Sequence, residues 1–356
     1  MLRLSSFPAD VRGVLLTGLS TASAAAVSAT DSILGALGKL AAQNQAQAQA
    51  LDDIGRNKIH NGKFTIQQRG AGPWTTSGAF TADRWYMSVS TDSLSCSVLT
   101  LSDADRAALG DENATTALQA VAAGTTGGFS LLTQSIENVR VLSSKTVTIS
   151  FWAKASASLS LGVHFVQSFG SGGSPSANVL VTPATISLST SWVRYSTTAT
   201  LPSAAGKTMG TNNDHSTQLL FAYSAGSSAQ AQCGVGVQSG TCILWGVQVE
   251  IGAVASQIED RPVEMELELC QRFYQTFPFL FLGGYASVAN QLFYQQIVCS
   301  VVMRATPTVG LSGQAYSNAS AFATPSVRPT DFIVQAKGSG FSVMTASAAV
   351  TLSADL

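Results

Sequence analysis

Charge is what this sequence has least of. Asp, Glu, Lys and Arg make up 11% of its 356 residues, against about 25% in an ordinary soluble protein. The deficit is sharpest between Lys154 and Glu250, where only Arg194, Lys207 and Asp214 are charged and Ser and Thr supply 27 of the 95 positions. Short hydroxyl side chains replace ions there. With 19 basic against 20 acidic residues and no basic run, the chain lacks the cationic footprint that nucleic-acid binding draws on. No run approaches the roughly 18 apolar residues that span a bilayer, so membrane insertion is not expected. Apolar residues at 46% set most of the chain apart from disordered sequences, which combine low hydrophobicity with high net charge.

Chemistry-bearing motifs are equally sparse. The cysteines Cys96, Cys233, Cys242, Cys270 and Cys299 are odd in number and form neither a C-x-x-C pair nor a zinc spacing. Cys233 and Cys242 could face each other across a Gly-rich hairpin, but buried thiols are the simpler reading and fit assembly in a reducing cytosol. His60, His164 and His215 are far apart and belong to no H-E-x-x-H or comparable motif, and neither a G-x-S-x-G elbow nor a P-loop is present. Asp103, Asp105, Asp111 and Glu112 cluster without EF-hand spacing and read as an acidic loop facing water. Asp83, before Arg84–Trp85, and Glu250, at the end of an apolar run, read as structural partners rather than the paired carboxylates of a glycoside hydrolase. A non-enzymatic protein without metal or cofactor is expected.

The N-terminal stretch invites a signal-peptide reading through Arg3 and the run Val14–Leu15–Leu16, but Asp10 and Arg12 stand where the apolar region should begin and Thr17–Gly18 breaks it. Beyond it, Thr30 or Asp31 can cap a helix. Its core track reads Ile33, Leu37, Leu40, Asn44, Gln47, Leu51 and Ile54, at alternating spacings of four and three. The stretch Ala41–Ala50 has high helix propensity and almost no apolar face, so this helix needs partners from other chains. Leu at one core position and Ile at the other favour trimers or tetramers, with Asn44 and Gln47 fixing register. At ~1.5 Å per residue, residues 33–54 would form a stalk of roughly 33 Å.

From Asn57 onward, short β-branched or alternating runs sit between Gly, Ser, Pro and Asn clusters. Lys63–Gln67, Thr146–Trp152, Leu161–Val166, Trp192–Ser196 and Cys242–Glu250 read as strands, separated by loops at 170–175, 202–210 and 234–240. Many short strands with little helix predict an all-β sandwich or jelly roll. A break falls at Glu259–Pro262. The alternation from Glu264 to Leu269 suits either a short helix or an exposed strand. Residues 271–356 again look β-like, as in Gln295–Val302, and predict a smaller C-terminal β region. Trp152, Trp192 and Trp245 lie inside strands and read as core. Trp74, Trp85 and Tyr86 lie near polar loops, and aromatic faces beside hydroxyls are what a sugar-binding site uses, so these three are the candidate ligand contacts.

Taken in order, Asn61–Gly70, Thr81–Ala82–Asp83–Arg84–Trp85, Ser150–Lys154, Trp192–Tyr195, Trp245–Gly252, Glu259–Pro262, Cys270–Tyr274, Met303–Val309 and Ser353–Leu356 resemble the carbohydrate-binding-module-like jelly roll of bacteriophage tail fibre and related virion proteins. Leu16–Leu19 and Ala29–Leu40 resemble the attachment and coiled-coil leaders of such fibres. The resemblance implies a homotrimeric virion protein, assembled in the host cytoplasm. In it residues 1–32 would dock on other virion proteins, 33–54 form the coiled-coil stalk, 55–261 the jelly roll and 262–356 the C-terminal β tip. It further implies a tail fibre or spike that recognises host-surface glycans. A capsid decoration or head-fibre protein is the structural alternative and a glycan depolymerase the enzymatic one. The shared motifs are mainly residues a sandwich needs for folding, so no ligand site carries over.

Overall fold

The computed structural model describes residues 32, 33, 35–40, 55–340 and 342–356, in two compact units that divide after Arg56. In the first unit, residues 33 and 35–40 are helical. The Gly35 N–H donates to Ser32 Oγ at 3.1 Å, and the expected capping residues Thr30 and Asp31 lie outside the described residues. Ile33, Leu37 and Leu40 are 83%, 44% and 47% exposed. Asn44, Gln47, Leu51 and Ile54 lie outside the described residues, as do residues 1–31 with the expected attachment segment and the signal-like run. Among the described residues no helix is long and apolar enough to cross a membrane.

The second unit is mainly β. Its first strands are β1 (Tyr86–Ser90), β2 (Ser93–Thr100), β3 (Thr116–Ala123), β4 (Phe129–Glu137) and β5 (Thr146–Ala155). They continue through β6 (Leu159–Ser168), β7 (Val179–Leu188), β8 (Val193–Thr200), β9 (Ser216–Ala225) and β10 (Ser239–Ile251). Two antiparallel five-stranded sheets result, in the orders β1-β4-β9-β6-β7 and β2-β3-β10-β5-β8. Only β2–β3 and β6–β7 are hairpin neighbours; every other consecutive pair crosses from one sheet to the other, which is how a sandwich shares one core between its layers. The core is a run of rings between the sheets: Phe64 lies 5.4 Å from Trp85, Trp85 6.1 Å from Phe221, and Phe221 5.2 Å edge-on from Phe151. Central strands β9 and β10 are buried on both faces because their outer faces are covered too. Trp245 packs outward with Leu101 and Leu109, and Ala222 packs outward against Cys233 and Val235.

Lys63–Gln67 is not a strand. Phe64 and Ile66 are buried, so the alternation reports burial correctly, but the hydrogen bonds of the segment go to a side chain. Asn61 Oδ1 accepts the Ile66 N–H at 2.9 Å, and its Nδ2 donates to Ile66 O at 2.9 Å and Asp83 O at 3.1 Å. An amide side chain that supplies both donor and acceptor satisfies the backbone as a neighbouring strand would. The acidic cluster corrects similarly: Asp103 and Asp105 belong to helix α1 (Asp103–Leu109), whose Ser102 and Asp105 form a reciprocal capping box. After the short α2 (Gln230–Cys233), the undecided acidic alternation resolves as helix α3 (Val263–Gln271), with Glu264 and Glu266 in its first turn. All five cysteines are buried and free.

The remaining strands, β11 (Tyr274–Ala286), β12 (Leu292–Val298), β13 (Thr308–Ser317), β14 (Ala319–Val327), β15 (Asp331–Gly338) and β16 (Ser342–Ser353), form two three-stranded sheets in the orders β11-β16-β13 and β12-β15-β14. The run read from Gln295 to Val302 contributes only its first half, since β12 ends at Val298. Met344, Ala346, Ala348, Val350 and Leu352 alternate along β16 into a second core with Phe332 and Val334.

Buried ions join the two cores. Arg69 pairs with Asp355 and lies 3.6 Å from Asp83, while its guanidinium stacks 3.6 Å over the Tyr274 ring. Arg84 stacks 3.3 Å over Phe273 and reaches Asp355 at 3.8 Å. Burial lowers the Arg84 pKa to about 10, against the pull of Asp355, which favours the cation. Removing one partner from such a cluster strands an uncompensated charge, at a cost of about 3–5 kcal/mol. Urea unfolding of Arg69→Ala is expected to show a loss of that order, whereas Arg328→Ala, removing an exposed partner of Asp331, should cost under about 1 kcal/mol.

Candidate functional site

The strands of the first sheet turn alternate residues away from the core. Met87, Leu132, Leu219 and Phe221 point inward, so Tyr86, Thr133 and Leu220 point outward. Register aligns them: Tyr86 pairs with Thr133, Thr133 with Leu220, and Leu220 with His164. A second row runs Ser88, Leu131, Ala222, Gly162. Over these rows lies an open groove of about 430 Å³, lined by Phe80, Tyr86, Ser88, Leu131, Thr133, Ser135, Gln218, Leu220, Asp355 and Leu356. Phe80 meets Tyr86 edge-on at 5.2 Å, so two rings form one wall. Leu131 joins the apolar cluster that holds Cys233 at the end of α2. Gly162 lets that segment come close, since a Cβ there would stand 1.9 Å from the Cys233 carbonyl oxygen. Asp355 brings the one charged side chain to the lining, and that carboxylate is tied to Arg69.

The three predicted contacts separate. Tyr86 lines the groove. Trp85, one residue away, is 0% exposed and its Nε1–H donates to Asn61 O at 3.1 Å, so its ring belongs to the core and is closed to ligand. Strand alternation separates these two neighbours. Trp74 lies beside the other sheet, exchanging backbone hydrogen bonds of 2.8 and 2.9 Å with Cys96 of β2. It packs partly onto the core. Of the three tryptophans read as core, Trp245 is fully buried while Trp152 and Trp192 are half-buried around it. Phe80, Thr133, Gln218 and Leu220 were not legible as site residues: Phe80 lies outside the strands, Thr133 is on β4, and the run Leu219–Tyr223 of β9 is apolar on both faces, which erases the period.

A second depression, of about 260 Å³, lies beside β10 and is lined by Lys63, Asp260, Arg261 and Glu266 among others. Its ions neutralise one another: Lys63 bonds Asp260 at 2.7 Å and Asp111 at 3.2 Å, and Arg261 bonds Glu259 at 2.9 Å and Glu266 at 3.3 Å. It reads as a strut fixing the segment that leads to α3. Asp105 is held by Lys154 and Trp192 at 2.6 and 2.8 Å. Burial would raise its pKa, but these hydrogen bonds and those of Ser102 hold it below the usual carboxylate range. Asp214, similarly lowered against burial by Ser171 hydrogen bonds, pins the glycine-rich loop after β6. Among the described residues no group of His, Cys, Asp and Glu is arranged to hold a metal ion.

No family model and no curated protein matches the sequence. Solved structures that it resembles include the family 11 carbohydrate-binding module of Clostridium thermocellum in complex with a β-1,3-1,4-mixed-linked tetrasaccharide, at 13% identity and a TM-score of 0.32, covering 51% of this chain and 96% of that one. They also include the enzymatically active domain of bacteriophage CBA120 tailspike protein 4, at 14% identity and a TM-score of 0.33, covering 55% of this chain and 22% of that one. The xylan-binding module CBM22-1 of Paenibacillus barcinonensis Xyn10C resembles it at 14% identity and a TM-score of 0.28, covering 51% of this chain and 95% of that one.

The histidines give the fold a pH dependence. Burial lowers the His164 pKa to about 4 and that of His60 well below its ordinary value, the latter with help from Arg84 and Arg261. Between about pH 6.5 and pH 4 the unfolded chain therefore takes up protons that the folded chain refuses. Stability is full above that window and falls on acidification by up to about 1.4 kcal/mol per pH unit for each proton. Denaturant unfolding from pH 7 to pH 4 should show this slope, reduced in His164→Gln.

Proposed function

We propose that this chain is a non-enzymatic fibre or spike protein of a bacteriophage virion, homotrimeric through its N-terminal heptad track, and that it binds a neutral host-surface saccharide in the groove over β1, β4 and β9. The lining of that groove carries the proposal. Tyr86 brings an aromatic ring of the kind that pairs with sugar rings, beside Phe80, whose ring carries the Arg69 guanidinium at 4.9 Å, and Ser88, Thr133 and Gln218 offer hydroxyls and an amide that serve as both donors and acceptors for sugar hydroxyls. No cation lines the groove and the carboxylate of Asp355 does, which disfavours uronic, sialic or sulfated sugars. The virion reading is supported by the family resemblance carried by Thr81–Trp85, Cys270–Tyr274 and Ser353–Leu356; Asp83, Arg84, Phe273, Tyr274 and Asp355 of those motifs meet in one buried cluster. Three heads on one axis would raise weak individual affinities through effective concentration.

Binding of the full chain to an array of neutral and acidic host glycans tests the site. Tyr86→Ala is expected to lower affinity about tenfold, equivalent to ~1.4 kcal/mol, while Tyr86→Phe keeps most of it. Binding that survives Tyr86→Ala together with Thr133→Ala, or that is confined to acidic glycans, would reject the groove. Release of reducing ends from host polysaccharide would replace the binding reading with that of a depolymerase, and location on the capsid of the intact particle would replace the fibre with a decoration protein.

A further inference from the structure

Along β6, Val163 and Phe165 enter the core, so His164 between them turns to the outer face of the first sheet. Register sets it next to the groove. It pairs with Leu220, and Val166, two residues on, pairs with Gln218; Leu220 and Gln218 both belong to the groove lining, and neighbouring strands lie roughly 4.8 Å apart. The floor therefore runs on past β9, over His164 and Val166 of β6, to the exposed Leu180 of β7 that pairs with Val166. The adjacent row is roofed instead: Ala222 packs under Cys233 and Val235, and Thr185, the β7 partner of Gly162, donates its hydroxyl to Gly234 O after α2.

His164 is itself only 4% exposed. Its Nδ1 is sealed inside without a hydrogen-bond partner. Among the described residues none bonds its Nε2 either, and that atom is the one left open to solvent. Burial keeps the ring neutral at pH 7, so one nitrogen carries the proton and the other a lone pair. Orphaned N–H groups are rarer inside proteins than orphaned acceptors, which puts the lone pair on sealed Nδ1 and the proton on Nε2. The result is a single donor, held by the packing around it and presented to the sheet face beside Leu220. For packing alone histidine is a poor choice, because the orphaned nitrogen costs stability that a leucine in the same place would not. Positions that give up stability in this way are expected where a fold serves binding.

We propose that His164 is a ligand-binding residue of this site, its Nε2–H donating to an oxygen of a saccharide that extends from Tyr86 across β4 and β9 onto β6. The ligand class narrows accordingly. Tyr86 and His164 stand three strand spacings apart, roughly 14 Å, farther than one sugar ring reaches, so only a chain of several units engages both. The inference rests on the reading of the groove as a saccharide site, and adds to it the residue that reads the far end of the ligand.

Calorimetric titration of the full chain and of His164→Leu tests it, using the neutral glycan that binds best on the array, supplied as its disaccharide and as its tetrasaccharide, with urea unfolding at pH 7 measured alongside. His164→Leu is expected to lose about fivefold in affinity for the tetrasaccharide, to keep its affinity for the disaccharide, and to unfold at the same or a higher urea concentration than the unsubstituted chain. His164→Gln, whose amide N–H can donate, should recover part of the loss. Tetrasaccharide binding that falls in Tyr86→Ala and is unchanged in His164→Leu overturns this inference and leaves the groove standing. A loss in His164→Leu that comes with a lower urea midpoint and is equal for both lengths assigns the residue a structural role and overturns it too. Absence of binding to any neutral glycan overturns the groove reading and this one with it.

Discussion

The placement of Arg84 constrains more of this molecule than any other side chain does. It stands between Asp83 and Trp85, at a corner where all three are buried. Trp85 goes into the sandwich core, Asp83 turns back to accept the Gln68 N–H at 2.7 Å, and Arg84 points out toward the second core, with φ at +75°. A guanidinium so buried is tolerable only if something compensates its desolvation. The Phe273 ring, the Ser135 carbonyl and the Asp355 carboxylate do so. Those groups come from a loop after α3, from β4 and from beyond β16. One buried cation therefore fixes the exit of α3, the last residues described and the first sheet together. It also sets the groove, since Asp355 is held against the sheet by Arg84 and by Arg69 and forms part of the lining.

How much of this was legible in the sequence depends on where each hydrogen bond goes. Thr146–Trp152, Leu161–Val166 and Cys242–Glu250 were readable as strands because their partners are other strands, and β-branched runs between turn residues report that directly. Lys63–Gln67 has the same alternation, but its partner is the side chain of Asn61, two positions upstream, and period alone does not distinguish the two. The acid-apolar alternation after Pro262 had two solutions; the helix places Glu266 within 3.3 Å of Arg261, a contact across a break that no periodicity encodes. The stalk residues beyond Leu40 lie outside the described part, so the heptad reading stands on its spacing.

Of the three predicted contacts, Tyr86, singled out for its aromatic ring beside polar residues, is the one that lines the proposed groove. The same reasoning applied to Trp85 fails because strand alternation sends adjacent residues to opposite faces, and Met87, also inward, marks which face is core. A stricter use of the period would have separated them. The rest of the groove is assembled from β4 and β9, whose paired residues lie 79 to 96 positions apart in sequence, from Glu137 with Ser216 to Phe129 with Ala225, and from Asp355. Which distant strands become neighbours is set by the crossings between sheets, and composition carries no record of those.

The shortage of charge acquires a physical meaning from where the existing charges sit. Arg272 with Glu137 and Lys154 with Asp105 tie a loop or helix to a sheet, while Lys63 with Asp111 and Asp260, Arg261 with Glu259 and Glu266, and Arg69 and Arg84 with Asp83 and Asp355 tie loops and α3 to one another. Ions in this chain are joints, and hydroxyls and amides do much of the work of meeting water. A surface of that kind has two consequences. Its broad sheet face can offer rings, hydroxyls and amides to an uncharged polyol without competing ionic contacts, which suits the groove. Its strand edges, however, lose the charge that ordinarily keeps other strands away. The larger sandwich recovers that protection by laying residues 71–80 along its own edges. On the smaller one β11 instead carries Pro278 and a break in register between Phe277 and Leu280, both of which disrupt pairing along an edge. With its ions used as joints, the chain protects its edges through a covering segment on one sandwich and a proline and bulge on the other, and leaves the broad sheet face neutral.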